Sequence, residues 1–505
     1  MLAWTIYISY LGALAALLTS ARRPAASRTV ALLTTIAGLI VASAAFLHGG
    51  TGALRTVALL PWIPSLGVSF HLAADGISLC LVLLTGVVAV VGVLFSWNVE
   101  HRTNEFFAFY LLLIGSVYGV FLSYDVVLLF VFYEIVIVPK YFLIAIWGST
   151  RREYGAMKLA LYSFAGSALV LVGLIAAYIE SGATSTDLST LAGHAFPVHF
   201  QMWAFPVVFL GFAVLAGLWP FHTWAPTGHV AAPTAASMLL AGVVMKLGAY
   251  GCLRVAMTVF PQGLNDWGFY ILGVGSWRDV FAVLAVIGII YGATVAMVQT
   301  DFKFVVGYSS VSHMGFILLG LMTLNRIGVS GAIVQMLSHG ILAGLLFGVV
   351  GRMLYERTHT RELAKLGPMN LNRALPFAAV TFVVAGMASM GLPGFSGFVA
   401  ELMILMGAWQ YHPWLAIAVG FGIVFGVVYT WRAMQKAFFM DTESGAEATM
   451  PHEALTPITL PEKLGTAILA AASLAIGLYP QMLLRYITPA LNAAPFAGLH
   501  IGGLR

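Results

Sequence analysis

Apolar runs of about twenty residues recur along the whole chain, and no other feature constrains its fold as tightly. Segments such as 158–179 and 281–298 stay apolar over helical length, which is the length an α-helix needs to cross a bilayer. A closed barrel would instead show alternating strands of about ten residues. Only 9% of the 505 residues are charged, 24 Lys+Arg and 19 Asp+Glu, against about 25% in soluble domains. So few charges cannot clothe a water-soluble globule. A net charge of +5 spread this thinly makes no basic stripe, so nucleic-acid binding is excluded. The 33 Phe, 19 Tyr and 12 Trp exclude disorder. The predicted class is an all-α polytopic membrane protein.

Spans are predicted near 2–19, 28–47, 75–97, 106–121, 124–147, 158–179, 203–219 with 233–257, 281–300, 304–324, 330–351, 375–391, 395–411, 413–434 and 464–484. Taking 203–257 as one interrupted element gives about 14 transmembrane helices. Residues 1–19 precede Arg22, Arg23 and Arg28 rather than following a basic stretch. That pattern reads as an uncleaved first span with its N-terminus outside. Cys80 and Cys252 lie in separate apolar runs and read as inert packing groups, with no metal site. Lys/Arg counting puts the loops bearing Arg22, Arg28, Arg102, Arg151, Arg152, Arg278, Arg326, Arg432 and Lys436 on the cytoplasmic side. The basic loop 352–373 then falls outside, against that rule.

Two stretches break the apolar pattern: 219–233, with Pro220, Pro226 and Pro233, and 391–397, with Pro393 between glycines. Each proline removes a backbone donor, and such backbone survives at membrane depth only inside protein or beside water. Broken spans at matching places in two halves point to inverted repeats. The expected organisation is three helices in 1–100, a first five-helix repeat in 101–303, a second in 304–440, and a surface segment with the last helix in 441–505.

An ionised residue at the centre of a span costs about 2.5–3.5 kcal/mol, so each one is a functional hypothesis. Glu134 lies near the middle of the fifth span, five residues before Pro139, whose ring frees the Ile135 carbonyl. Lys246 follows the first break, and Glu401 follows the second. His313 and His339 lie in apolar helices, where imidazole relays protons near neutrality. A hydrogen-bonded core histidine is the commoner reading of each. Composition alone puts Lys303 at an interface. No nucleotide-phosphate loop, dinucleotide fingerprint, cluster-binding cysteine run or haem motif occurs.

Several motifs in order resemble the antiporter-like membrane subunits of NADH:quinone oxidoreductase (respiratory complex I). They are Ala74-Asp-Gly-Ile-Ser78, the Glu134 helix, 220–226 with 232–235, 241–246, 301–303, 308–315, 335–339 and 397–401. The resemblance implies a proton relay through Glu134, Lys246, Lys303, His339 and Glu401. In it Lys303 is a central lysine on a locally broken helix, and Glu401 the exit group. It also implies neighbouring membrane-arm subunits as partners in a bacterial inner membrane. Flavin, iron–sulfur clusters and quinone belong to those partners, with no cofactor in this chain. An acid at 401, where resembling sister chains carry lysine, separates this chain from them. Sodium/proton antiporter and membrane-bound hydrogenase subunits share the pattern and form the alternative. His222 and His229 fall in the first break, where a structural hydrogen bond is the expected role. Lys140 departs from the pattern, which has an apolar residue there, and is expected to snorkel or to perturb Glu134.

Overall fold

The computed structural model describes residues 1–20, 22–48, 52–265, 267, 274–440, 455–499 and 501. Helices come first as α1 (Trp4–Leu18), α2 (Pro24–His48), α3 (Gly76–Phe95), α4 (Thr103–Leu122), α5 (Val126–Trp147) and α6 (Arg152–Glu180). Next are α7 (Val198–Ala216), α8 (Trp224–Ala231), α9 (Thr234–Met257), α10 (Trp277–Val298), α11 (Phe302–Met322) and α12 (Arg326–Thr358). The last are α13 (Pro376–Ser389), α14 (Ser396–Tyr411), α15 (Pro413–Phe438), α16 (Leu460–Leu478) and α17 (Gln481–Leu491). Residues 441–454 of the expected surface segment lie outside the described residues.

Short polar residues start these helices. Asp75, Asp125, Asp301, Ser276 and Asn325 each accept hydrogen bonds from the first backbone N–H groups of the helix that follows. At membrane depth those donors find no water, so the cap fixes where each helix begins. The chain is mainly helical, with one departure among the described residues. β1 (Arg55–Ile63) and β2 (Val68–Ala74) form an antiparallel hairpin. Pro61, Pro64 and Gly67 cut that apolar run too short for a helix, and Gly67 turns it with φ of 64°.

Twelve helices among the described residues have the length and composition to cross a membrane, not the fourteen expected. α1, α13 and α14, with 15, 14 and 16 residues, fall below that length, while the region 203–257 supplies one helix more than expected. Val198–Ala216 and Thr234–Met257 are two separate helices of spanning length, where the sequence pattern suggested one interrupted element. α13 and α14, taken as two spans, have 14 and 16 residues. They stand end to end around the 391–397 break.

This repartition removes the anomaly of the 352–373 loop. Arg361 donates to Ser149 Oγ at 3.2 Å, Leu363 N–H to Thr300 O at 2.9 Å, and Asn98 to Glu356 at 2.9 Å. The loop therefore sits at the end of the bundle that holds Arg28, Arg102 and Arg151. Arg278 and Arg326, expected at that end, lie at the opposite one. Arg278 caps Met322 O at 2.6 Å, one long helix away from Thr300. A second latch at the basic end is the buried Glu462, held by Arg352 at 2.6 Å and Arg357 at 2.8 Å.

Burial separates the helices into a centre and a rim. The most apolar stretches of α9 and α12 are wholly buried, whereas only a third of those in α15 and α16 is. Helices that are apolar all round need neighbours on every side, or lipid on the sides left open. α9 and α12 are the ones wrapped by protein, and they carry Lys246 and His339.

Candidate functional site

The site is built where α9 crosses α12. Gly242 and Gly340 face each other there, and a Cβ on Gly340 would stand 2.6 Å from the Gly242 carbonyl oxygen. Only hydrogen side chains allow that approach. Lys246 lies one turn beyond Gly242, and His339 directly precedes Gly340. The crossing therefore brings Lys246 Nζ to 2.7 Å from His339 Nδ1. α9 is also widened into π-helical turns at Leu240–Val244 and Cys252–Met257, on either side of Lys246. Such turns spoil the regular backbone ladder, and the Ala241 carbonyl accepts a second hydrogen bond from Lys246 Nζ.

Beyond His339 the contacts continue. The His339 and His313 rings stack with centroids 5.3 Å apart, and His313 Nε2 lies 3.5 Å from Glu401 Oε1. His313 Nδ1 sits 2.9 Å from the Ser309 carbonyl, which requires a proton on Nδ1. Nε2 is then the nitrogen that faces Glu401. Glu401 is buried in the first turns of α14, and Gly391 (φ of 79°) folds the break against it; a Cβ there would be 2.9 Å from Glu401 Oε2. A cavity of about 10 Å³ lies among His313, Gln335, Ser338, His339, Ser389 and Glu401, which is room for about one water molecule.

Lys303 stands elsewhere. α11 is unbroken, and Lys303 occupies its first turn behind the Asp301 cap. Its Nζ donates to the carbonyls of Val230 at 3.2 Å and Ala232 at 2.6 Å, at the junction of α8 and α9. Arg361 shares the Val230 carbonyl at 3.1 Å and pairs with Asp301 at 3.1 Å. Lys303 thus braces the first break at the basic end and does not intervene between Lys246 and His339. The central lysine on a locally irregular helix is Lys246, because α9 carries the π-helical turns. Lys303 is nevertheless buried rather than interfacial. Its reach to two carbonyls left open at the junction explains the burial.

Glu134 is half-buried on α5, with one carboxylate oxygen buried and, among the described residues, without a hydrogen-bond partner. A single turn at Val136 divides α5 beside it. Lys140 does not snorkel. It is 1% exposed, and its Nζ donates to Ser163 Oγ on α6 at 2.9 Å. His229, fully buried in α8, sets Nε2 3.4 Å from Met245 Sδ and lies within electrostatic reach of both Lys246 and Lys303. His222 is buried with neither ring nitrogen bonded, its ring against Tyr291 at 5.0 Å.

Two features escaped the sequence pattern. Ser338, Ser396 and Ser473 form a hydroxyl line, with steps of 2.8 and 2.9 Å, from α12 through α14 to α16. Single serines in apolar helices carry no signal of their own. Arg254, fully buried in α9, pairs with Asp75 at 2.6 Å at the other end of the helix from the break. An arginine inside an apolar run is a legible signal, since burial demands a partner.

The description "NADH:quinone oxidoreductase/Mrp antiporter, TM" matches residues 123–426. An "NADH-quinone oxidoreductase subunit M" of Rhodobacter capsulatus is 37% identical over 85% of this chain and 82% of its own length. A protein of the same name from Pseudomonas aeruginosa is 38% identical over 84% and 81%. Among solved structures, a chain of respiratory complex I from Thermus thermophilus superposes with TM-score 0.87 at 25% identity over the whole of both chains. A chain of the Mrp complex from Dietzia shares the fold, with TM-score 0.82 at 21% identity over 99% of both.

Proposed function

Since the chain belongs to the NADH:quinone oxidoreductase/Mrp antiporter transmembrane family, we propose that it is a proton-translocating subunit of the membrane arm of an NADH:quinone oxidoreductase. Its partners are neighbouring membrane-arm subunits in a bacterial inner membrane. Electron transfer happens on partner subunits, and this chain converts a charge change beside Glu134 into proton movement. The observation that carries the reading is the contact chain Lys246–His339–His313–Glu401, buried throughout and crossing four helices.

The chemistry follows from those contacts. A protonated Lys246 donates to His339 Nδ1, and passing that proton on leaves a neutral amine. His339, once protonated on Nδ1, releases the proton on Nε2, which has no partner among the described residues, to a water in the small cavity, and that water delivers a proton to His313 Nε2, which faces Glu401. Glu401 accepts the proton and releases it past the Gly391–Gly397 break. Lys303 and His229 stand on the basic-end side of Lys246 and supply the replacement proton, so Lys303 heads the relay. The basic end is the cytoplasmic side by the excess of Lys and Arg, which puts the N-terminus outside.

Replacing Glu134 with Gln or Lys246 with Ala in the assembled complex, reconstituted in proteoliposomes, is expected to abolish proton pumping. Full pumping in either variant overturns the reading. A second reading, a subunit of a sodium/proton antiporter or of a membrane-bound hydrogenase, draws on the fold shared with the Mrp chain. Co-purification separates them: flavin and iron–sulfur polypeptides oxidising NADH support the first, and an all-membrane set of partners the antiporter.

A further inference from the structure

Lys140 is a buried base that the relay above does not use. It lies seven residues from the end of α5 at Trp147, about 10 Å along the axis, yet it turns into the protein instead of following the helix outward. An ammonium has three donors, and Ser163 Oγ is one acceptor; Ser163 in turn donates to Leu159 O at 2.8 Å. On the same helix, one oxygen of Glu134 is buried with no donor. The two deficits are complementary. Glu134 is the acid whose charge reaches Lys140. Lys158, the other lysine on that side of α6, is turned to Thr227 at 3.4 Å. Between the two residues α5 is divided at Val136, and Pro139 withdraws the N–H that would hold the Ile135 carbonyl. The backbone joining them is thus the least fixed part of the helix.

Resting on the proton-pumping reading, we propose that Lys140 exchanges a proton with Glu134, so that the fifth helix stores its charge on a carboxyl–amine pair rather than on Glu134 alone. In the charging step the proton leaves the Glu134 carboxyl oxygen and is taken up by the lone pair of a neutral Lys140 Nζ. A neutral pair becomes a carboxylate and an ammonium, with no change in total charge. The ammonium is then held by Ser163 on α6, and the reverse transfer resets the pair. The separation, six residues or about 9 Å of helix rise, is within the combined span of the two flexible side chains, or of one water between them.

The test uses the intact complex in proteoliposomes, measuring NADH:quinone electron transfer and acidification together. Lys140→Met removes the base; Lys140→Arg keeps the positive charge but cannot release a proton at physiological pH. Both are expected to abolish proton movement while electron transfer continues, as Glu134→Gln does. The double variant Glu134→Gln/Lys140→Met is expected to be no worse than either single one. Full pumping by Lys140→Arg reduces Lys140 to a fixed charge, and full pumping by Lys140→Met reduces it to packing; either result overturns the proposal. Should Lys140→Met fail to assemble, Ser163→Ala decides, a lowered ratio supporting the proposal and an unchanged one overturning it. Lys246→Ala in parallel separates the two failures. If it pumps normally the parent reading falls, whereas if it is dead while both Lys140 variants pump, only this inference falls.

Discussion

The α9–α12 crossing and the Glu134 segment of α5 both put ionisable groups at membrane depth, yet they handle them differently. At the crossing every group touches the next, from Lys246 to His339 at 2.7 Å and onward to Glu401. On α5 the groups stand apart: Glu134 has an unpartnered oxygen, and Lys140 is bonded to a serine of another helix. Buried polar groups in contact satisfy one another, whereas separated ones remain costly until something moves. The first arrangement suits conduction and the second suits gating. No hydrogen bond or ion pair among the described residues joins Glu134 to Lys246. Any coupling between them acts through the field or through water.

The contrast can be broken most severely at Lys246. Lys246→Ala removes the only cation in the contact chain, and pumping is expected to fall on the order of tenfold or more, read as acidification at constant electron transfer. Next comes Gly340→Val, which forces α9 and α12 apart. It is expected to cost about 1–3 kcal/mol of overpacking and to reduce both the heat resistance of the isolated complex and its pumping. Glu401→Gln keeps the shape but ends proton exchange with His313, so a several-fold loss of pumping without loss of assembly is expected. Ser396→Ala, which cuts the hydroxyl line, is expected to lower the rate by about twofold or less.

A mild effect is expected far from both regions, at the end opposite the basic loops. Burial acts to raise the Asp187 carboxyl, but hydrogen bonds from His71 and Ser189 hold it below the usual carboxylate range. A depressed carboxyl stabilises the fold above its unfolded pKa, near 4, and that contribution disappears as pH falls through the lower folded value. Asp187→Asn is therefore expected to lower the thermal midpoint slightly at neutral pH and to match the parent protein in strong acid. An unchanged difference across that range refutes the assignment.

Much of the architecture was legible because lipid leaves so few options for a chain with 43 charges in 505 residues. Both breaks and the depth of Lys246, His339 and Glu401 within apolar helices were legible from residue type and position. The partition of 198–257 could not, because a proline-rich gap looks the same whether it interrupts one helix or separates two. That single ambiguity inverted the expected side of the 352–373 loop. Contacts were also beyond reach. Sequence spacing places Lys303 and Lys246 in order along the chain, but only the fold shows that Lys246 meets His339 directly while Lys303 turns to the Val230 and Ala232 carbonyls. The small signals that set those contacts, Gly242, Gly340 and the π-helical turns of α9, are single residues or backbone distortions without a pattern.

The Gly242–Gly340 contact also limits how the central helices can move. Sliding α12 by one residue would bring His339 or Ile341 opposite the Gly242 carbonyl, and neither fits where even a Cβ would stand 2.6 Å from that oxygen. The two helices are locked in register as long as they stay in contact. Changes of state at the crossing must then come from side-chain rotation, ring flips and water, events of picoseconds to microseconds, and not from the slower sliding of whole helices.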